Sequence, residues 1–259
     1  MPNTMQLGKW SSPALVRIME RGMRLPARVL GRFRQSQLPT PLAQLANRVR
    51  QEGLTYLSAA KLDKLAGSVL AAERMGLGGA LIEAGCALGG SAILLAAAKD
   101  QARPLRVYDV FGMIPPPSEE DGADVHRRYA VITAGKSKGL KGNPYYGYEK
   151  HVISKVEQSF ARHGFPIAEN NVELIMGRLE ETMAVEQPIA VAHIDVDWYA
   201  PVKVSLERIA PRLVPGGAIL LDDYFDWSGC RRATDEFLRE TSIAFSVDRS
   251  AGSMKLIKR

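Results

Sequence analysis

The sequence predicts a doubly wound α/β domain built on a mostly parallel sheet. Three observations carry this expectation. From about residue 80 onward, short apolar runs alternate with amphipathic segments of helical period. A glycine-rich turn joins the first run to the segment after it, and acidic residues cluster at the ends of two later runs. The 259 residues are 46% hydrophobic and 24% charged, which suits one sizeable core and excludes a disordered or collagen-like chain.

Residues 1–45 read as a basic helical extension. Residues 1–50 hold Lys9 and eight arginines against one acid, Glu20, a net +8. The other 209 residues hold 25 basic and 27 acidic groups, so the formal +6 of the chain belongs to its first segment. Arg17, Arg21, Arg24, Arg28 and Arg32 recur at helical spacing, with Leu15, Ile18, Met19, Met23, Val29, Leu30 and Phe33 on the other side and Pro26 interrupting. A basic amphipathic helix over residues 13–34 reads first as a solvated surface helix or a homodimer contact; peripheral contact with a membrane surface is the other reading of the pattern. The near-neutral body argues against a nucleic-acid partner. No run approaches the ~18 apolar residues of a membrane span, and no secretory signal is visible. Two cysteines, Cys86 and Cys230, make no disulfide framework. A cytoplasmic protein is expected, any membrane association falling to the first segment.

Pro39 and Pro41 mark a break before the main domain, placed at 46–259. Strands are expected over 80–84, 105–110, 172–176, 189–194 and 217–221, with helices near 90–99, 150–163, 178–184, 201–213 and 230–241. Two short strands near 243–247 and 254–257 close the chain around the turn Arg249-Ser-Ala-Gly252. Residues 112–149 break the rhythm with Pro115-Pro-Pro117, Gly135, Gly139, Gly142 and Asn143-Pro144. So long a connection reads as a lid loop over a ligand site or as a disordered insertion, and Tyr145, Tyr146 and Tyr148 within it suit ligand contact.

The first strand runs into Glu83-Ala-Gly85-Cys-Ala-Leu-Gly89-Gly90-Ser91, which opens a helix. Glycines there let backbone approach a ligand, and a helix N-terminus offers free N–H donors. Asp109 ends the second strand, 24 residues after Gly85, where an acid can accept both hydroxyls of a ribose. Ala87 stands where a dinucleotide-binding turn has its second glycine, which weakens the case for a pyrophosphate. A nucleoside without phosphates fits better, and S-adenosylmethionine is such a ligand.

His193-Ile-Asp195-Val-Asp197-Trp-Tyr199 ends the fourth strand and Asp222-Asp-Tyr224 the fifth. Ligand crevices in open parallel sheets lie at the carboxyl ends of strands, so Asp195, Asp222 and Asp223 should converge. Three close carboxylates repel unless a cation joins them, and a set of hard oxygen donors favours Mg²⁺. Capping of the following loops and helices by the same acids is the competing reading.

These segments, together with Pro211-Arg-Leu-Val-Pro-Gly-Gly217 and Gly229-Cys230, resemble the macrocin O-methyltransferase family over about residues 50–245. The resemblance implies a bacterial, metal-dependent class I methyltransferase using S-adenosylmethionine, with sugar hydroxyls of natural products or glycans as acceptors. It implies a Rossmann-like, seven-stranded sheet whose last strand is antiparallel. Glu83, Gly85 and Ser91 would line the methionine end of the cofactor, Asp109 the ribose, and Gly177 with Arg178 the adenine. Tyr56, within Thr55-Tyr-Leu-Ser58, would pack over the cofactor; Asp195, Asp222 and Asp223 would hold Mg²⁺, with Asp195 also touching the cofactor. Asp197 is the first candidate for the base that takes the acceptor proton, on the ground that it shares strand parity with Asp195, which is the second. His126, Glu119 and Glu149 are further candidates, and His193 is expected to be buried. Trp198 stands where catechol-type relatives carry a basic residue. A nicotinamide-dependent oxidoreductase, or a methyltransferase acting on a phenolic or catechol acceptor, is the alternative.

Overall fold

The computed structural model describes residues 38–259. The arginine-rich stretch over 13–34 lies outside the described residues.

Helix α1 (Thr40–Gln51) begins with Pro41 in its first turn, where a missing N–H costs nothing. Its buried residues, Leu42, Leu45, Ala46 and Val49, fall on one helical face and join the core of the domain. The division expected at residue 45 therefore falls inside a helix, because that apolar face needs the sheet domain to cover it. Helix α2 (Ala59–Arg74) is absent from the sequence expectation, although its start signal is present. Ser58 caps it, its hydroxyl oxygen accepting the Lys61 N–H at 3.2 Å. Leu62, Leu65, Ala66 and Val69 are wholly buried, each of the larger ones contributing about 1.5–3 kcal/mol by leaving water.

The seven strands are β1 (Ala80–Ala84), β2 (Leu105–Asp109), β3 (Val172–Met176), β4 (Ile189–Ile194), β5 (Leu213–Leu221), β6 (Phe245–Asp248) and β7 (Met254–Lys258). They form one sheet in the order β3-β2-β1-β4-β5-β7-β6. The first five pair in parallel, and β7 runs antiparallel to both of its neighbours. The remaining helices are α3 (Gly90–Ala98), α4 (Ala123–Thr133), α5 (Val152–Arg162), α6 (Leu179–Thr182), α7 (Tyr199–Ile209) and α8 (Ser228–Glu240). Strand β5 begins four residues earlier than its apolar run suggests. Ile189 pairs with Leu213 but Val191 with Ala218, so Val214–Gly217 bulge out of the ladder.

The period-2 alternation of the strands sorts two cores onto opposite faces. Leu81, Leu105, Val107, Val191 and Leu220 pack with α1, α2, α3 and α5. Ile82, Tyr108, Ala192, Ile194, Ile219 and Leu256 pack with α6, α7 and α8. Helices on both faces explain why the central strands read as nearly continuous apolar runs.

The parallel register also builds the site. The residue after each strand continues the ladder to its neighbour: Gly85 N–H to Tyr108 O, Asp195 N–H to Ala84 O, Asp222 N–H to Ile194 O, and Gly177 N–H to Asp109 O, all at 2.8–3.0 Å. Adjacent strands thus end level along one edge, and Gly85, Asp195 and Asp222 face the crevice there.

Residues 110–151 are not a bare loop. They contain α4 and two short 3₁₀ turns, Leu140–Gly142 and Tyr146–Tyr148. The segment is pinned to the domain at several points. Asp121 accepts the Tyr199 N–H at 2.8 Å, Asp124 accepts from the N–H and hydroxyl of Ser228 at 3.0 and 2.5 Å, and the Trp198 indole donates to Pro115 O at 3.1 Å. Helix α4 buries only Val125 and Ile132, too weak an apolar stripe to stand out among prolines and glycines.

Candidate active site

The turn after β1 is shaped by what it packs against. Gly85 has φ +83°, and a Cβ there would collide with the Asp195 carbonyl oxygen after β4. Close approach of two strand ends, as well as access for a ligand, therefore demands this glycine. Asp109 organises the same turn. Its Oδ2 accepts the N–H groups of Cys86 and Ala87 at 2.7 and 3.1 Å, and its Oδ1 accepts the Phe111 N–H at 2.7 Å. A carboxylate offers about four acceptor sites, so room for a further donor remains. Burial raises its pKa, opposed by these N–H groups.

Glu83 and Ser91 lie beneath the turn rather than in an open cleft. Glu83 is wholly buried; it accepts a short hydrogen bond from the Ser91 hydroxyl and pairs at 3.0 Å with His193 Nδ1. Neither is among the residues lining the two cavities at the strand ends. His193 is buried as expected. Burial opposes its charged form, yet the carboxylates of Glu83, Asp222 and Asp195 outweigh this and push the imidazole well above its ordinary value.

Two adjoining cavities open at the strand ends. The first, of about 260 Å³, is lined by Gly85, Asp109, Arg178, Asp195, Asp197 and the Pro115–Pro117 run among others. The second, of about 320 Å³, shares Gly85, Asp109, Asp195 and Asp197 and continues to Tyr56, Asp222 and Asp223. Gly177 stands just before Arg178, at φ +144°, and is not itself a wall. Tyr56 is half-exposed, with its ring 6.2 Å from that of Tyr146. Tyr145 and Tyr146 line the second cavity; Tyr148 does not, and instead its hydroxyl donates to Ile132 O at 2.6 Å.

Carboxylate oxygens of Asp195, Asp222 and Asp223 lie within 4.8 Å of one another. Burial and neighbouring negative charge push Asp195 and Asp223 well above the usual carboxylate range. Burial also opposes ionisation of Asp222, but His193 and Lys61 prevail and hold its carboxyl low. Lys61, from α2, donates to Asp222 Oδ2 at 2.8 Å and to Asp226 at 2.9 Å. Asp222 Oδ1 is buried without a hydrogen-bond partner; His193 Nε2 stands 4.0 Å away, too far for one. Three hard oxygen donors and an orphaned carboxylate oxygen fit a divalent cation.

Asp197 lies beyond the end of β4 with φ +59°, so strand parity does not place it. A reversal of the backbone turns it into the crevice, with its N–H donating to Asp223 Oδ2 at 3.2 Å. Burial, then the charge of Asp222, raises its carboxyl to about 6, with Arg128 pulling the other way. His126, Glu119 and Glu149 line neither cavity, and Glu149 is paired with Lys155. Lys61, Arg128 and Trp227 line the second cavity without having been expected there. The Lys61 to Asp222 contact spans 161 residues, and no local pattern announces it.

A family model described as Macrocin-O-methyltransferase (TylF) matches residues 34–251. The chain is 29% identical over 205 residues to an 8-demethyl-8-(2,3-dimethoxy-alpha-L-rhamnosyl)-tetracenomycin-C 4'-O-methyltransferase of Streptomyces olivaceus, covering 77% of this chain and 73% of that one. It is 28% identical to a mycinamicin III 3''-O-methyltransferase of Micromonospora griseorubida, over 74% and 73% of the two chains. Among solved structures, the O-methyltransferase NovP superposes with a TM-score of 0.66 at 22% identity, over 84% of this chain and 96% of that one.

Proposed function

The chain belongs to the macrocin O-methyltransferase family, and from that premise we propose that it methylates a sugar hydroxyl of a glycosylated small molecule or glycan with the help of a divalent cation. Its activity class is O-methyl transfer from S-adenosylmethionine. One observation carries the finer reading: Asp195, Asp222 and Asp223 meet beside a two-chambered crevice, with Asp222 Oδ1 left unpartnered. The relatives named above act on sugars borne by natural products, which supports a sugar acceptor here. Family membership disfavours hydride transfer with a nicotinamide.

When bound, S-adenosylmethionine supplies an electrophilic methyl group, and a cation held by Asp195, Asp222 and Asp223 supplies positive charge that acidifies an acceptor hydroxyl. The residues of the chain do the rest. Gly85 and Asp109, with Arg178 lining the same cavity, would hold the nucleoside, and Asp109 fixes the turn through the Cys86 and Ala87 N–H groups. The aromatic walls Tyr145, Trp198 and Trp227 exclude water and align the acceptor for in-line displacement. Asp197, common to both cavities, takes the hydroxyl proton.

The test is transfer of a labelled methyl group to a panel of glycosides and phenols, with and without Mg²⁺ and EDTA. Transfer to glycosides that EDTA abolishes is expected. Undiminished transfer in EDTA overturns the metal assignment, and transfer to phenols alone overturns the sugar assignment.

A further inference from the structure

The second cavity is rich in acid: Asp195, Asp197, Asp222, Asp223 and Asp226 all line it. Two cations face them, Lys61 and Arg128. Lys61 is already engaged by Asp222 and Asp226. Arg128 makes no hydrogen bond or ion pair within 4 Å among the described residues; its guanidinium lies over the Tyr145 ring, 5.9 Å from the centroid. It is half-buried, and it sits on α4, which Asp124 and Tyr148 fix against α8 and the following turn. The Arg128 donors are therefore unspent within the described residues, and a guanidinium fork matches carboxylate or phosphate geometry.

An unpaired arginine in a cleft wall selects by charge. It leaves a neutral ligand to compete with the water around the guanidinium, whereas an oxyanion gains charge-assisted hydrogen bonds. The Asp195, Asp222 and Asp223 cluster, which lines the same cavity, calls for hydroxyls instead. The cavity is thus complementary to a molecule that carries both a hydroxyl and an acidic group. We propose that Arg128 binds a carboxylate or phosphate on the acceptor, so that the enzyme prefers acidic sugars, such as uronic acid units or sugar phosphates, over neutral ones. This rests on the methyltransferase reading above.

The experiment uses the full chain saturated with S-adenosylhomocysteine. Binding of methyl glucuronoside, glucose 1-phosphate and methyl glucoside is followed by saturation-transfer NMR titration, in wild type, Arg128→Gln and Arg128→Lys. The wild type should favour at least one of the acidic probes over methyl glucoside. Arg128→Gln should weaken that probe about ten- to hundredfold and leave methyl glucoside unchanged, while Arg128→Lys should retain part of the preference. A wild type that does not favour either acidic probe overturns the proposal, as does Arg128→Gln weakening charged and neutral probes alike. The other source of such an anion is the carboxylate of the cofactor itself. If Arg128→Gln weakens S-adenosylhomocysteine but not 5'-methylthioadenosine, which lacks that carboxylate, Arg128 serves the cofactor and the acceptor proposal falls. Failure of the wild type to bind S-adenosylhomocysteine at all would count against the functional reading instead. Matching thermal unfolding of the variants and wild type shows that a lost signal is not lost fold.

Discussion

Replacing His193 by leucine should destabilise the domain by about 3–5 kcal/mol, the cost of stranding a buried charge by removing one partner. The magnitude follows from the environment of Glu83. Its carboxylate is wholly buried and has two partners, the Ser91 hydroxyl and His193 Nδ1. Leucine approximates the volume of histidine, so little packing is lost and the effect is mainly the stranded charge. For a domain of this size the melting temperature should fall by about 6–20 °C. Urea unfolding followed by tryptophan fluorescence gives the free energy, with an unchanged m-value required for a clean comparison. Replacing both Glu83 and His193 by leucine should cost less than the two single changes combined, by at least about 1 kcal/mol. A single-variant loss below about 1 kcal/mol, or additivity within about 0.5 kcal/mol, would refute the claim that this pair is one buried unit.

Asp222→Asn should weaken Mn²⁺ binding, read by electron paramagnetic resonance, by about tenfold or more while S-adenosylhomocysteine affinity holds; equal Mn²⁺ affinity would remove Asp222 from the cation site. Leu65→Ala, at a wholly buried position of α2, should cost about 2–5 kcal/mol in the same urea assay. Gly85→Ala should cost at least about 1–3 kcal/mol, because it adds a positive-φ penalty to a collision with Asp195 O, and a stable variant would contradict the close packing there. Glu73 is held below its ordinary value of 4.5, first by its hydrogen bond with Arg103, at 2.7 Å from Nε. Its folded pKa lies below the unfolded one, so this pair stabilises the fold above the unfolded value and the contribution is lost as pH falls through the folded value. Stability of Glu73→Gln should therefore decline less steeply than wild type as pH drops below about 5, and parallel profiles would refute the coupling.

The alternation of apolar runs with helical segments was enough to place all seven strands, and the level strand ends brought Asp195, Asp222 and Asp223 together where strand counting put them. Such features are local in sequence: the period of a pattern sets which face is buried, and parallel pairing sets where each strand stops. Helices α1 and α4 were harder to read because their apolar stripes are short or sit among prolines and glycines, whereas α2 carries its cap at Ser58 and a full apolar stripe in the sequence itself.

The sequence by itself determined the doubly wound sheet, the glycine turn at Gly85 and the acids at its edge. Tertiary structure alone decided what each of those acids meets. It turned Glu83 inward to His193 and closed Asp109 around three backbone N–H groups. It reversed the backbone at Asp197, brought Lys61 across 161 residues to Asp222, and left Arg128 facing the crevice without a carboxylate partner among the described residues. The physical reason is range. Periodicity and turn chemistry act over a few residues, whereas charge pairing and burial depend on distances in space that are set only after the sheet and its two helical layers have packed.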